Sequence, residues 1–176
     1  MTRAALTLLA ACAALIAGCA SAPPLPGEAA WTTGRLSLKV DASPGAAAQS
    51  LSAGFELRGS GRDGELRLNS PLGTRLVSAR WLPGSALLTT ADGQRSFDSL
   101  EALSRGALGE SLPLAALPDW LSGRPWAEAP HQVTGSGFEQ LGWQVVLTRI
   151  ADGQIEARRV ALPVVLLRVR LDNAAT

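Results

Sequence analysis

The sequence predicts a mainly β protein: an antiparallel sheet of short strands, curved and either open or rolled into a barrel, with few helices. Three observations carry this. Apolar and polar residues alternate with period two through most of the chain after residue 33. Eighteen Gly and eleven Pro in 176 residues leave little room for long helices. Asp-Gly and similar turn pairs fall between the alternating segments.

The elements follow in order. In Gly34–Val40, Leu36, Leu38 and Val40 share one face and Arg35, Ser37 and Lys39 the other. Ser50–Arg58 puts Leu51, Ala53, Phe55 and Leu57 together, and Glu65–Asn69 sets Leu66 and Leu68 against Glu65, Arg67 and Asn69. Thr74–Leu82 alternates less cleanly, with Val77, Ala79 and Trp81 opposite Leu76 and Leu82. Ser85–Thr90 is short and apolar and leads into Ala91-Asp92-Gly93-Gln94, a tight hairpin signature. The same four letters recur at 151–154. Two short helices are expected. One is capped by Asp98 or Ser99 and carries Leu100, Leu103 and Leu108 on a stripe. The other lies within Leu114–Ser122, with Trp120 and Leu121 inward, and is ended by Gly123 and Pro125. His131 follows Pro130 in a loop, and Ser136 lies in Gly135-Ser136-Gly137. Strands resume at Trp143–Ile150, with Trp143, Val145 and Leu147 on one face, then Ile155–Leu162 and Val164–Leu171.

A sheet that curls over has an interior. The inward positions are mostly Leu, Val and Ala, in a chain with no Tyr, three Phe and five Trp. Two readings of that interior stand at this point: a packed core, or an apolar lining around a void.

Composition removes many functions. Formal net charge is +1, so there is no basic excess for a nucleic acid. One His and two Cys cannot build a metal cage, and no cofactor motif is present. Any histidine-dependent triad would have to use His131, which has no signature partner, and Gly135-Ser136-Gly137 is not a nucleophile elbow. Asp63, Asp92 and Asp152 sit in turn sequences, where solvation explains them. The chain does not read as an enzyme.

The N-terminus reads as an address. A short cationic start, Met1-Thr2-Arg3, precedes an apolar run from Ala4 to Ala17. That run is too short for the roughly 20 residues of a membrane span and suits a signal peptide. Ile16-Ala17-Gly18-Cys19 resembles the bacterial lipobox, which implies removal of residues 1–18 and lipidation of Cys19. Cys12 would leave with the signal, so no disulfide could form. Ala20, where proteobacterial lipoproteins kept in the inner membrane carry Asp, fits export to the outer membrane. Residues 19–30 are then a lipidated, Pro-rich tether, with a folded domain over 31–176.

Several landmarks line up behind the lipobox. Thr33-Gly34-Arg35-Leu36-Ser37 opens the first strand, and Leu68-Asn69-Ser70-Pro71-Leu72-Gly73 closes the third. Leu112-Pro113-Leu114, Leu117 and Trp120-Leu121-Ser122-Gly123-Arg124-Pro125 follow, then Leu141-Gly142-Trp143-Gln144-Val145 and Leu162-Pro163. In order and spacing they resemble the LolB family across the mature chain. That resemblance implies an unclosed antiparallel barrel of about eleven strands, with a few short helices as a lid. It implies a monomeric outer-membrane lipoprotein on the periplasmic face of a Gram-negative bacterium. Such a protein accepts the acyl chains of lipoproteins from a LolA-like periplasmic carrier and passes them to the inner leaflet of the outer membrane. The acyl-chain cavity would be lined by Leu36, Leu38, Phe55, Leu57, Leu66, Leu68, Trp120, Trp143, Val145 and Leu147. Leu72, at the tip of a Ser-Pro-Leu-Gly turn, matches a protruding leucine that helps deliver cargo to the bilayer. The family often has a helix before its first strand. Only Gly27–Trp31 is available for one here, so it should be short or absent. The rival reading is a structural or assembly lipoprotein of the outer membrane, whose packed sheet carries no lipid cargo.

Overall fold

The computed structural model describes residues 29–172. The signal segment, Cys19 and most of the tether lie outside those residues, so their expectations are not addressed by it. Residues 29 and 30, just before the first strand, are not helical.

Eleven strands form one antiparallel sheet. They are β1 (Thr32–Val40), β2 (Gln49–Gly59), β3 (Gly64–Asn69), β4 (Arg75–Leu82), β5 (Ser85–Thr90), β6 (Gly93–Phe97), β7 (His131–Thr134), β8 (Gly137–Gln140), β9 (Trp143–Val146), β10 (Gln154–Arg159) and β11 (Val165–Leu171). Their order is β6-β5-β4-β3-β2-β1-β11-β10-β9-β8-β7. Every strand but β1 and β11 pairs only with its sequence neighbours; those two pair with each other at the centre, Leu36 opposite Val169. The edges β6 and β7 are not joined, so the barrel is open. The segment between these edges holds α1 (Leu100–Leu108) and α2 (Leu117–Leu121), which pack on the sheet.

Alternation predicts the inner face well because antiparallel strands with one solvated face show it most clearly. Leu38 and Val40 of β1, Ala53, Phe55 and Leu57 of β2, and Val165 and Val169 of β11 are all buried. In β4 the inner face is Ala79 and Trp81, while Leu82 is exposed. The helices begin and end as their chemistry dictates. Ser99 Oγ accepts the Ala102 N–H at 3.0 Å, and Gly109 closes α1 in the left-handed region at φ 72°. Pro118 sits in the first turn of α2, where its missing N–H costs nothing. Gly106 lets α1 lie close to β6: a Cβ there would come within 2.7 Å of the Phe97 ring.

Two expectations need correction, and one turn signature proves to have two forms. His131 is not in a loop; it opens β7. Residues 131–140, where the residue-by-residue reading gives no strand, form the hairpin β7–β8, with His131 opposite Gln140 and Ser136 in the turn. The strand from Trp143 ends at Val146: the Leu147 N–H makes one more ladder bond, to Ser136 O at 2.8 Å, and the chain then winds into a 3-10 turn over Ile150–Asp152. The two Ala-Asp-Gly-Gln segments also differ. At 91–94 the turn joins Thr90 directly to its partner Gly93. At 151–154 Gly153 instead caps the 3-10 turn at φ 71°.

Candidate functional site

The concave face of the sheet has two halves. In one, α2 fills the barrel. Trp120 is 1% exposed and meets Phe138 edge-on and Trp143 at a tilt, both with ring centroids 6.2 Å apart. Its indole N–H donates to Gln140 Oε1 at 2.8 Å. That oxygen also accepts the Trp126 N–H, and the Gln140 amide nitrogen donates to the carbonyls of Trp126 and Ala129. One buried amide therefore ties α2, the 122–130 segment and β8 together with all its bonds made.

The other half is hollow. A cavity of about 350 Å³ lies between the sheet and the helices. That volume is in the range of small-ligand pockets. Its strand wall includes Leu36, Leu38, Leu51, Leu66, Leu68, Val77, Leu88 and Leu167. Its roof comes from Leu103 and Leu108 of α1, Leu112 and Leu114 of the linker, and Leu117 and Trp120 of α2. Leu36, Leu66, Leu68 and Val77 keep partial solvent access although they face inward, as side chains beside unfilled space must. Polar groups gather at one place on the wall, where the β5–β6 turn meets α1: Thr90, Asp92, Gln94 and Arg95. There Arg95 donates to Gly106 O at 3.0 Å, and its guanidinium stands 5.2 Å from the Phe97 ring centre. This bond holds the edge strand to the roof.

An ion cluster stiffens the hollow wall from outside. Glu65 of β3 points away from the cavity yet is 3% exposed. It accepts from Arg67 Nε at 2.6 Å and Arg58 Nη2 at 2.8 Å, with Arg80 Nε at 3.3 Å. Burial pushes its carboxyl up. The hydrogen bonds from Arg67 and Arg58 and the charges of Arg67 and Arg80 outweigh that and hold it below the usual carboxylate range. Glu56 is held low as well, chiefly by the Asn69 amide at 2.8 Å. Arg67 and Arg58 also stack on Trp31, at 4.2 and 4.5 Å from its ring centre, which fixes the start of β1 against the sheet. Glu65 thus joins β2, β3 and β4 on one face while their other face stays unpacked.

Of the positions expected to line a cavity, Leu36, Leu38, Leu66, Leu68, Trp120 and Trp143 are on its wall. Phe55, Leu57 and Val145 are not. They share the inward face but are buried, at 3%, 3% and 0% exposure, in the packed core. Leu147 lies just past the end of β9 and is partly buried against the core. Leu51, Val77 and Leu167 belong to the same alternating faces and were legible by the same rule; Leu88 lies in a short apolar run with no alternation to place it. The roof residues were marked only by the α1 stripe.

Leu72 occupies the tip of the β3–β4 hairpin. The Gly73 N–H donates to Ser70 O at 2.9 Å, Gly73 takes φ 84°, and the Thr74 N–H donates to Ser70 Oγ at 3.2 Å. The turn is thus braced by Ser70 and projects its third residue. Leu72 is 94% exposed, the most exposed large apolar side chain among the described residues.

An open antiparallel barrel with a helical roof over an apolar cavity defines the class: a fold with room for an apolar ligand between sheet and helices. Comparison with known sequences gives the family. The family model described as "Outer membrane lipoprotein LolB" matches residues 30–173. The chain is 40% identical over 157 residues to the outer-membrane lipoprotein LolB of Bordetella petrii, covering 82% of this chain and 78% of that one. It is 36% identical over 148 residues to the Bordetella pertussis protein of the same name, covering 77% and 74%. Against that of Chromobacterium violaceum it is 34% identical over 156 residues, covering 82% and 83%. The chain belongs to the LolB family. It is an outer-membrane lipoprotein of a Gram-negative bacterium with a part in lipoprotein transport, and it is not an enzyme.

Proposed function

We propose that the hollow half of the barrel is where this chain performs the family's task, accepting lipoproteins from the periplasmic carrier LolA and inserting them into the outer membrane. In this reading the monomeric domain, tethered through a lipidated Cys19, takes the cargo's acyl chains against Leu36, Leu38, Leu66 and Leu68. The observation that carries the reading is the apolar cavity beneath the helical roof. Each buried methylene contributes about 0.8 kcal/mol, so a leucine-lined wall needs no hydrogen-bond code to hold an acyl chain. Transfer then needs no energy source beyond tighter binding here than in the carrier.

Delivery is assigned to Leu72. A braced turn that presents one exposed leucine can touch the bilayer, gaining on the order of 1.5–3 kcal/mol. That biases a brief contact without anchoring it. The test follows a labelled lipoprotein from its carrier to this protein and on to liposomes. Leu72→Glu should fold and accept cargo as the parent does, and fail to release it into membranes. Normal release by that variant would remove Leu72 from the mechanism. A parent protein that takes no cargo from the carrier would defeat the reading as a whole and favour the packed-scaffold alternative.

A further inference from the structure

The outer face of the sheet carries a second concave site beside the Leu72 hairpin. A groove of about 870 Å³ is bordered on one side by Ser70, Pro71 and Gly73, and on the other by Arg35, Arg168 and Arg170. Arg35 and Arg170 are direct cross-strand partners of β1 and β11. Like charges placed opposite each other weaken a sheet, and neither arginine has a salt bridge among the described residues. Arg168, one pair further along that face, is held by Glu156 at 2.8 Å. The space between the arginines and the hairpin is kept open by sequence. Gly54 lies opposite both Arg35 and Asn69, and a Cβ there would meet nothing closer than 3.8 Å. Ser37 and Ser52 form the next row. The acids on the rim are Glu56, already engaged by Asn69, Arg67 and Arg75, and Asp172 just beyond β11.

The sheet's fold gains nothing from two unpaired arginines face to face, but an anion between them would. We propose that the groove receives the phosphate of an anionic phospholipid headgroup in the membrane. Arg35 and Arg170 are then the headgroup half of a contact whose apolar half is Leu72. The argument is one of charge complementarity and continuity: the hairpin that carries Leu72 is itself a wall of the groove, so a leucine in the acyl layer brings the arginines to headgroup depth. The inference rests on the delivery reading of Leu72.

The experiment uses the mature chain, residues 19–176, carrying Cys19→Ala, so that neither an acyl anchor nor the apolar signal segment contributes to binding. Its partition is measured onto phosphatidylcholine vesicles and onto vesicles with one third phosphatidylglycerol. The parent should prefer the anionic vesicles, and each arginine changed to glutamine should reduce that preference roughly fivefold. Arg35→Gln/Arg170→Gln should bind both vesicle types alike while keeping the parent's thermal midpoint and its binding to neutral vesicles. Leu72→Glu should weaken binding to both types. A double variant that retains the preference, or a parent that shows none, would overturn the groove and leave Leu72 untouched. A Leu72→Glu chain that binds both vesicles like the parent would instead sink the delivery reading. Glycerol phosphate in solution should not displace the chain; if it does at millimolar concentration, the site belongs to a soluble phosphate and the membrane assignment is wrong.

Discussion

The two halves of the concave face belong to one continuous antiparallel sheet with an apolar inner face, yet one is solid and the other hollow. Leu57 and Leu66 show the contrast at a single cross-strand pair. Leu57 is 3% exposed in the packed core, and Leu66 beside it stands on the cavity wall. The difference lies in what the helices bring. On the solid side α2 delivers Trp120 and a fully bonded Gln140 fixes it. On the hollow side α1 contributes a roof of Leu103 and Leu108 but no large side chain to fill the space. Stability is therefore concentrated in one half and binding in the other, and the outer ion cluster around Glu65 braces the half that lacks packing.

Breaking the solid half should have the largest effect. Gln140→Leu leaves the Trp120 and Trp126 N–H groups and two carbonyls without their partner. At about 1–3 kcal/mol for each group stranded, the loss should be on the order of 4 kcal/mol or more in urea unfolding. A variant that unfolds at the parent's urea concentration would show that Gln140 does not hold the plug.

The leucine pair sharpens the comparison. Leu57→Ala removes packed atoms and should lower stability by about 2–5 kcal/mol. Leu66→Ala enlarges space that is already empty and should cost about 1 kcal/mol or less, while weakening retention of a lipoprotein or an apolar dye. Equal losses at the two positions would mean that the hollow half is packed in solution.

The ion cluster gives a smaller, pH-dependent effect. Glu65 and Glu56 both titrate below the ordinary carboxylate range in the folded chain. A lowered folded value stabilises above the unfolded pKa, about 4.3, and that contribution is lost as pH falls through the folded values. Urea midpoints should hold above about pH 5 and drop below about pH 4. Glu65→Gln should cost about 1–3 kcal/mol at pH 7 and shrink the acid-side drop. An unchanged acid limb in that variant would place the titration elsewhere.

What could be read from sequence follows the same divide. Of the strands around the hollow half, β1, β2, β3 and β11 alternate apolar and polar residues, and their inner faces are legible from that alone; β4 alternates less cleanly and β5 is a short apolar run. The solid half is less so. Gln140 is a polar residue at an inward position, so Phe138 and Gln140 do not read as a face, and β7–β8 does not read as strands. Leu147 prolongs the alternation of β9 by one residue past its last strand pair, before the chain winds into the 3-10 turn at Ile150–Asp152. Glu65 reads as a solvated residue because its three arginine partners lie on three different strands. The turn that carries Leu72 was legible for the opposite reason: Ser-Pro-Leu-Gly fixes it locally, with no tertiary information needed, whereas the protrusion of Leu72 itself was implied only by the family resemblance. The split between core and cavity was not legible, because it depends on where α2 lands rather than on the strands themselves.

The most direct test of that split maps where an acyl chain sits. A lipoprotein with a photoreactive group on one acyl chain is loaded from its carrier, irradiated, and the cross-linked peptides identified by mass spectrometry. The account predicts cross-links to Leu36, Leu66, Leu68 and Val77 on the sheet and to Leu103 or Leu108 on the roof. Cross-links concentrated at Leu57, Phe138 or Val145, in the half filled by Trp120, would contradict it.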